Sequence, residues 1–144
     1  DLDSWRQRVS DYAGVADLLK ISAEDLKTLY PKVKSETKAA EWLDAGVQLV
    51  VVTDGGKAVT AWTRDGLSIR VKPPAFQVVD TVGAGDSFQS ALLTRLAEYG
   101  DPKAAVSTLD NERLEELVNL AVKAAAITCS RRGANLPRRS EIES

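Results

Sequence analysis

The middle of the chain carries an apolar stretch, two glycines and an acid in immediate succession, Val79-Asp80-Thr81-Val82-Gly83-Ala84-Gly85-Asp86-Ser87-Phe88. Small residues let the backbone approach a ligand closely and adopt dihedral angles that other residues avoid. A helix that begins here directs unpaired amide groups, and the positive end of its dipole, toward whatever lies in front of it. The order of residues therefore predicts a strand, a turn and a helix, with an anion-binding site at the turn.

The acid at the end of this stretch narrows the function. In a site that only binds phosphate, the carboxylate of Asp86 would repel the ligand. It has a use if it accepts a proton from a hydroxyl group that attacks the phosphorus atom. A purely structural interpretation stays open, because Asp86 and Gln89 have the spacing of a helix-capping box and the glycines could serve only a tight turn. That interpretation leaves Asp80 unexplained.

Composition and motifs exclude several other functions. Residues 83–88 satisfy neither the Gly-Lys-Ser/Thr ending of a P-loop nor the Gly-x-Gly-x-x-Gly of a dinucleotide-binding loop. The sequence contains no histidine, so proton transfer has to use carboxylates. The single cysteine, Cys129, excludes an intramolecular disulfide and is expected to be buried. With a net charge of −2 and no apolar run of bilayer length, we expect neither nucleic acid nor a membrane as a partner, and a cytoplasmic location.

The remaining pattern predicts one domain over residues 1–144, in which strands alternate with helices. Residues 49–52 form an apolar block without alternation, which is typical of a strand buried on both faces of a parallel sheet. Arg64-Asp65-Gly66 is a hairpin turn between two further strands. The predicted strands are 17–21, 49–52, 57–63, 67–72 and 76–79, and the predicted helices are 4–12, 23–30, 35–45, 86–99 and 111–130, followed by a polar tail that frays.

Three polar loops follow predicted strands, at residues 20–25, 53–56 and 80–86. Parallel strands deliver the loops at their carboxyl ends to one edge of the sheet, where ligands bind in open α/β folds. We therefore expect the three loops to meet at one site.

The third loop, from Asp80 to Asp86, resembles the second signature of the ribokinase-like (pfkB family) sugar kinases, Asp-Thr-x-Gly-Ala-Gly-Asp, and is complete. The resemblance implies an α/β ribokinase-like fold, with a Rossmann-like parallel-sheet core, flanking helices and a small β-hairpin. It also implies in-line transfer of a phosphoryl group from ATP to a sugar hydroxyl. Asp86 would be the base, and the amides of Gly83, Ala84, Gly85 and Asp86 would stabilise the developing negative charge.

The other two loops have counterparts in the same family. Ser22 and Asp25 stand where the family has an Asn-x-x-Glu element that organises Mg²⁺ and phosphate through water, so the resemblance assigns Ser22 to the nucleotide and Asp25 to the magnesium. Thr53 and Gly55 match the Thr-x-Gly-x-x-Gly nucleotide loop, with Ala58 in place of the last glycine. Local capping remains an alternative role for Ser22, Asp25 and Thr53.

Two further matches concern the nucleotide and a monovalent ion. The segment 126–134 resembles the closing segment of bacterial fructokinases, which implies that Gly133 and Ala134 help to close the adenine pocket. Asp80 and the carbonyl of Val82 match positions where some relatives bind a monovalent cation. The resemblance therefore leaves potassium open as a second cation beside Mg²⁺.

The resemblance covers the C-terminal half of such a kinase, without the N-terminal sugar-binding and lid part. We expect the 144 residues to hold the base and the ATP site, to bind nucleotide weakly alone, and not to turn over sugar. The full-length protein is expected to be a homodimer that converts fructose to fructose 6-phosphate with ATP and Mg²⁺. Alternatives are a 2-keto-3-deoxygluconate, ribose or nucleoside kinase, or a nucleotide-binding module without catalysis.

Overall fold

The apolar block of residues 49–52 forms the centre of the fold. In the computed structural model, which describes residues 1–143, this block belongs to strand β2 (Leu49–Asp54), and all four side chains are buried. Leu49 and Val51 belong to one core cluster, and Val50 belongs to another on the opposite face of the sheet. The prediction that this strand is covered on both faces is confirmed.

The sheet has four strands in the order β1-β2-β3-β4. β1 (Leu18–Ser22) pairs with β2 in parallel, and the chain between them is helical, as the predicted strand–helix–strand unit requires. β3 (Ala58–Thr63) and β4 (Ser68–Val71) form the predicted hairpin, antiparallel to β2. The α/β fold with a small hairpin is therefore confirmed, although the sheet is mixed, with one parallel pair among the strands of residues 1–143.

Helices cover both faces of the sheet. On one face, Leu26 and Trp42 of the second and third helices pack against Val50. On the other, Phe88 and Leu92 of the fourth helix pack with the sixth. The helices are α1 (Leu2–Ala13), α2 (Ala23–Leu29), α3 (Ser35–Ala45), α4 (Ala84–Glu98), α5 (Pro102–Ser107), α6 (Asn111–Cys129) and α7 (Arg139–Ile142).

The close packing of α4 and α6 fixes the position of the glycine-rich turn. Leu92 and Leu96 of α4 and Leu117 of α6 are at most 2% exposed, and burial of each such side chain contributes about 1.5–3 kcal/mol. Small residues of α6, Ala121 and Ala124, lie in the same core. Because α4 begins at the turn, its packing determines where the signature loop stands.

Three predicted features differ from the structure. The predicted strand 76–79 is wrong: the amides of Val79 and Asp80 donate to the carbonyl of Cys129, at 2.8 and 3.2 Å, instead of to a neighbouring strand. Helix α5 was not predicted, although Asp101 caps it and Pro102 is its first residue. The tail from residue 138, predicted to fray, contains helix α7 instead.

Candidate active site

The turn before α4 requires glycine at position 83. Gly83 has φ 80°, in the left-handed region, and is the N-terminal cap of the helix. A Cβ added there would lie 3.1 Å from Cβ and 3.3 Å from Cα of Ala134. Helix α4 starts at Ala84, so Asp86 stands within its first turn and no side chain caps the helix. The capping box considered for Asp86 and Gln89 is therefore not formed.

Hydrogen-bond donors without partners surround this turn. The amide of Ala84 donates to the carbonyl of Thr81 at 3.2 Å. Within residues 1–143, no acceptor receives the amide N–H of Gly83, Gly85 or Asp86. The exposed carboxylate of Asp86 likewise makes no hydrogen bond or ion pair inside that range. Unpaired donors thus lie beside an unpaired carboxylate at the positive end of a helix dipole.

The other side of the signature loop is held by Asp80. Its Oδ1 accepts the amide of Val82 at 3.0 Å, and its Oδ2 accepts the amide of Gly133 at 2.9 Å. The hydrogen bond from Val82, followed by the one from Gly133, lowers the pKa of Asp80 below its ordinary value of 3.8. Asp80 therefore connects the signature loop to the loop that follows α6.

A cleft of about 190 Å³ opens between the hairpin, α4 and α6. Its apolar lining includes Phe76, Val122, Ala125 and Ala126, which are suited to a flat aromatic base. Its lining also includes Lys20, Thr53, Gly55 and Gly85, which belong to the three predicted loops. The cleft therefore combines apolar side chains with residues of these loops and of the first turn of α4.

The predicted site residues fall into two groups. Thr53, Gly55, Ala84 and Gly85 line the cleft, and Gly83 and Asp86 are their immediate neighbours in the signature loop. The second group does not line the cleft and makes contacts of its own; it comprises Ser22, Asp25, Asp80, Gly133 and Ala134.

Ser22 and Asp25 form a local cap. Ser22 Oγ accepts the amide of Asp25 at 3.0 Å and lies 2.6 Å from Oδ2 of the same residue, which caps α2. The capping alternative for this pair therefore describes the observed contacts. Asp25 is exposed, so its second oxygen can still reach water or an ion.

The acids present fit a magnesium ion that is held mainly by the nucleotide. No group of three or more Asp, Glu, Cys or His side chains in residues 1–143 could hold a metal ion. Mg²⁺ commonly keeps several waters and binds substrate phosphates with one or two carboxylates. A single carboxylate such as that of Asp25 meets this requirement.

Three residues that matter at the site were not assigned a role from sequence. Lys20 directs its ammonium at Gly85, where a Cβ would lie 3.3 Å from Nζ. The sequence signal for it is a lysine among the apolar residues Leu18, Leu19 and Ile21 of strand β1. Ser87 and Thr128 are buried behind the turn, with their hydroxyl oxygens 2.5 Å apart. No local pattern identifies that pair, because it joins two helices.

Comparison with known proteins identifies the family of this chain. Residues 1–141 match the pfkB family carbohydrate kinases, and the chain belongs to this family. Fructokinase from Rhizobium leguminosarum bv. trifolii is 33% identical over 142 residues, which cover 98% of this chain and 41% of that protein. The chain thus spans well under half the length of this relative.

Two solved structures show the same fold. Fructokinase from Xylella fastidiosa with bound ATP superimposes with a TM-score of 0.86 at 27% identity, covering 95% of this chain and 44% of that one. A double mutant of fructokinase from Vibrio cholerae, bound to fructose, ADP and a potassium ion, gives a TM-score of 0.82 at 27% identity, covering 98% and 44%. In the described part of this chain, no helix is long and apolar enough to cross a membrane.

Proposed function

We propose that this chain is the nucleotide-binding and catalytic part of a kinase that transfers a phosphoryl group from ATP to a sugar hydroxyl, with fructose converted to fructose 6-phosphate. The observation that carries the proposal is made at the first turn of α4. There the Asp86 carboxylate lies beside the amides of Gly83, Gly85 and Asp86, and none of these groups has a hydrogen-bond partner within residues 1–143. Donors alone would suit any anion. The carboxylate beside them gives the site a place for a proton.

The reaction follows from these groups. Asp86 takes the proton of the sugar hydroxyl as its oxygen forms a bond to the γ-phosphorus. The bond from that phosphorus to the bridging oxygen breaks, and ADP leaves with the electron pair. The amides hold the oxygens of the transferred group while charge redistributes on them. Mg²⁺, when bound, neutralises part of the phosphate charge, and the exposed Asp25 is the acid of this chain that would reach its water shell.

The cleft supports a nucleotide in one orientation. A purine fits the end formed by Phe76, Ala125 and Ala126, and the phosphates then extend toward Thr53 and Gly85. Gly133 and Ala134 act indirectly in this proposal, because they position Asp80 and Gly83. Fructose is favoured as the acceptor because the related proteins described above are fructokinases, and one of those structures holds fructose and ADP.

The proposal extends to partners and location. We propose small-molecule partners, ATP and a sugar, without nucleic acid or membrane, and action in the cytoplasm as a homodimer. We also propose that residues 1–144 are one domain, without the sugar contacts, which would make the chain alone inactive toward sugar. A potassium ion is present in the Vibrio cholerae structure. Asp80 is the candidate for such an ion here, although both of its oxygens already accept backbone hydrogen bonds.

The test is substitution of the base in the complete gene product that contains these residues. We expect D86N to lower kcat for fructose phosphorylation by about 10²–10⁴-fold and to leave ATP affinity within a few-fold. D44N is the matched control, because Asp44 is an exposed acid at the end of α3, on the opposite face of the sheet. A D86N protein with unchanged kcat contradicts the proposal. If wild type phosphorylates another sugar instead of fructose, and D86N loses that activity, the identity of the sugar changes and the proposed chemistry stands.

A further inference from the structure

We propose that helix α7 is a latch, attached to α4 by ion pairs, which holds the signature loop in its binding shape through the segment 131–137. When the ion pairs are weakened, α7 detaches and the loop loses this support. The inference depends on the proposed nucleotide cleft but not on the phosphoryl-transfer reaction. The juxtaposition that carries it is a closed ring of charges at one end of a segment whose other end contacts the signature loop.

Residues of alternating charge form the ring. Arg95 Nη1 is 3.2 Å from Oε2 of Glu98, and Arg95 Nη2 is 3.5 Å from Oε1 of Glu143. Arg139 completes the ring, because it pairs with Glu98 and, through its Nε at 2.9 Å, with Oε1 of Glu143. Arg95 and Glu98 belong to α4, whereas Arg139 belongs to α7 and Glu143 follows it. Two pairs of the ring, Arg95–Glu143 and Arg139–Glu98, therefore attach the α7 end of the chain to α4.

Apolar packing contributes little to the position of α7. None of its residues is buried. Its one apolar side chain, Ile142, is half-buried at a cleft of about 200 Å³ that Leu120 and Leu136 also line. Helices this short are not stable by themselves in water. The attachment of α7 therefore depends mainly on charge, and salt weakens ion pairs that are partly exposed.

The segment 131–137 connects α7 to the signature loop. It forms neither helix nor strand, so contacts with other parts of the chain determine its position. At its start, Arg131 forms an ion pair with Glu141 of α7. Two residues later, the amide of Gly133 donates to Asp80 Oδ2 at 2.9 Å. The same short segment therefore contacts both the latch and the signature loop.

The contact with the signature loop continues at the next residue. Ala134 lies so close to Gly83 that a Cβ on the glycine would be 3.1 Å from the Cβ of Ala134. Coupling between two sites is reciprocal, so ATP that binds to the supported loop also stabilises the attached state of α7. No residue of the ring lines the nucleotide cleft. An effect of the ring on nucleotide affinity therefore has to pass through the segment.

The first experiment measures amide hydrogen exchange by mass spectrometry in the complete gene product. R139Q removes both ion pairs of Arg139, so at low salt we expect exchange in peptides from α7 and from residues 131–137 to rise about threefold to tenfold. High salt should raise exchange in the same peptides of wild type. E116Q is the matched control and should leave exchange unchanged, because Glu116 pairs with Arg95 at 3.3 Å from α6, outside the ring.

The second experiment measures ATP binding by isothermal titration calorimetry. At low salt R139Q should weaken ATP binding at least threefold, and R139K should recover part of the affinity. E98Q should also weaken it, although removal of a negative charge would by itself favour an anion. The double variant E98Q/R139Q should lose less than the sum of the two, because both remove the same pair. Saturating ATP should slow exchange across α7 in wild type.

The outcomes separate this inference from the proposed function. If D86N loses the phosphorylation that wild type performs, while R139Q and E98Q keep normal exchange and ATP affinity, the latch is refuted and the kinase proposal stands. If wild type phosphorylates no sugar, but both ring variants exchange faster and bind ATP more weakly, the latch stands and the kinase proposal falls.

Two further results would contradict the latch. Faster exchange in α7 alone, with normal exchange in residues 131–137 and normal ATP affinity, would show a fraying helix that is not coupled to the signature loop. Weaker ATP binding in R139Q with stronger binding in E98Q would show that only the net charge of the protein acts on the nucleotide.

Discussion

The hydroxyl oxygen of Thr128 lies 2.5 Å from that of Ser87, in a fully buried contact between α6 and the first turns of α4. Ser87 Oγ is also 3.0 Å from the carbonyl of Gly83, and Thr128 Oγ1 is 3.2 Å from the carbonyl of Ala124. A single chain of hydroxyl groups thus runs from the core helix to the glycine that caps α4. The signature turn is therefore fixed from behind by polar contacts that water cannot reach.

Replacement of Thr128 tests this contact. T128V keeps the shape of the side chain and removes the hydroxyl, so we expect a loss of about 1–2 kcal/mol in the free energy of unfolding. S87A removes the contact to Gly83 as well and should cost about the same. Urea denaturation of both variants and of the double variant measures the effect. Additive losses would show that the two hydroxyls do not interact.

The two glycines of the turn should respond differently to alanine. At position 83 a Cβ meets Ala134 at 3.1 Å and the backbone has φ 80°, so G83A should lose about 2–3 kcal/mol of stability. At position 85 a Cβ meets only the flexible end of Lys20. G85A should therefore keep the melting temperature or raise it slightly, since alanine favours a helix by at most about 1 kcal/mol.

G85A should impair activity strongly, although its effect on stability should be small. The added methyl occupies the space between the helix amides and Lys20, so we expect phosphoryl transfer and ATP binding to fall at least tenfold although the protein stays folded. Thermal melts and calorimetry on the same preparation check both statements. A G85A protein that is stable and fully active would show that phosphate does not approach the turn at that residue.

Stability at acidic pH should depend on Asp80. Its pKa in the folded protein lies below the ordinary value of 3.8, because the amides of Val82 and Gly133 stabilise the carboxylate. A lowered folded-state pKa contributes stability that is fully present above the unfolded value and is lost as the pH falls through the folded value. D80A should therefore melt at a lower temperature than wild type at pH 7, and the difference should shrink below about pH 4. D44A is the control, and a difference independent of pH would contradict the prediction.

The thiol of Cys129 should react slowly in the folded protein. Burial, and then the charge of Asp80, raise the pKa of this thiol above its ordinary value of 9.0. Because Cys129 lines the cleft, bound ATP should slow the reaction further. Reaction with a chromogenic disulfide at pH 7.5, with and without ATP, measures both rates, and unfolded protein gives the reference. A rate unaffected by ATP at saturation would place the nucleotide elsewhere.

Local chemistry explains what the sequence could predict. The turn at Gly83, the hairpin at residues 64–66, the helix 35–45 and the burial of Cys129 depend on residues close in the chain or on simple apolar patterning, and these predictions are confirmed. The cap of α5 is also a local signal, Asp101 followed by Pro102, although helix 102–107 is absent from the predicted elements.

Contacts between distant segments explain the errors. The amides at 79 and 80 bond to Cys129 at the end of α6, which no pattern within residues 76–79 reveals. The polar composition of the tail predicts fraying. Ion pairs of Arg139 with Glu98 and Glu143 hold helix α7 instead, and the pair with Glu98 joins segments that are distant in the chain. The orientation of Lys20 toward Gly85 likewise depends on how β1 and α4 are placed in the fold.

Asp80 and Gly133 are 53 positions apart, and the hydrogen bond between them ties the phosphate turn to the loop after the last long helix. Shortening the protein just behind Cys129 would spare every leucine of the core and yet release this turn from its anchor. A truncated version could then pass for intact by its melting curve while no longer recognising triphosphates.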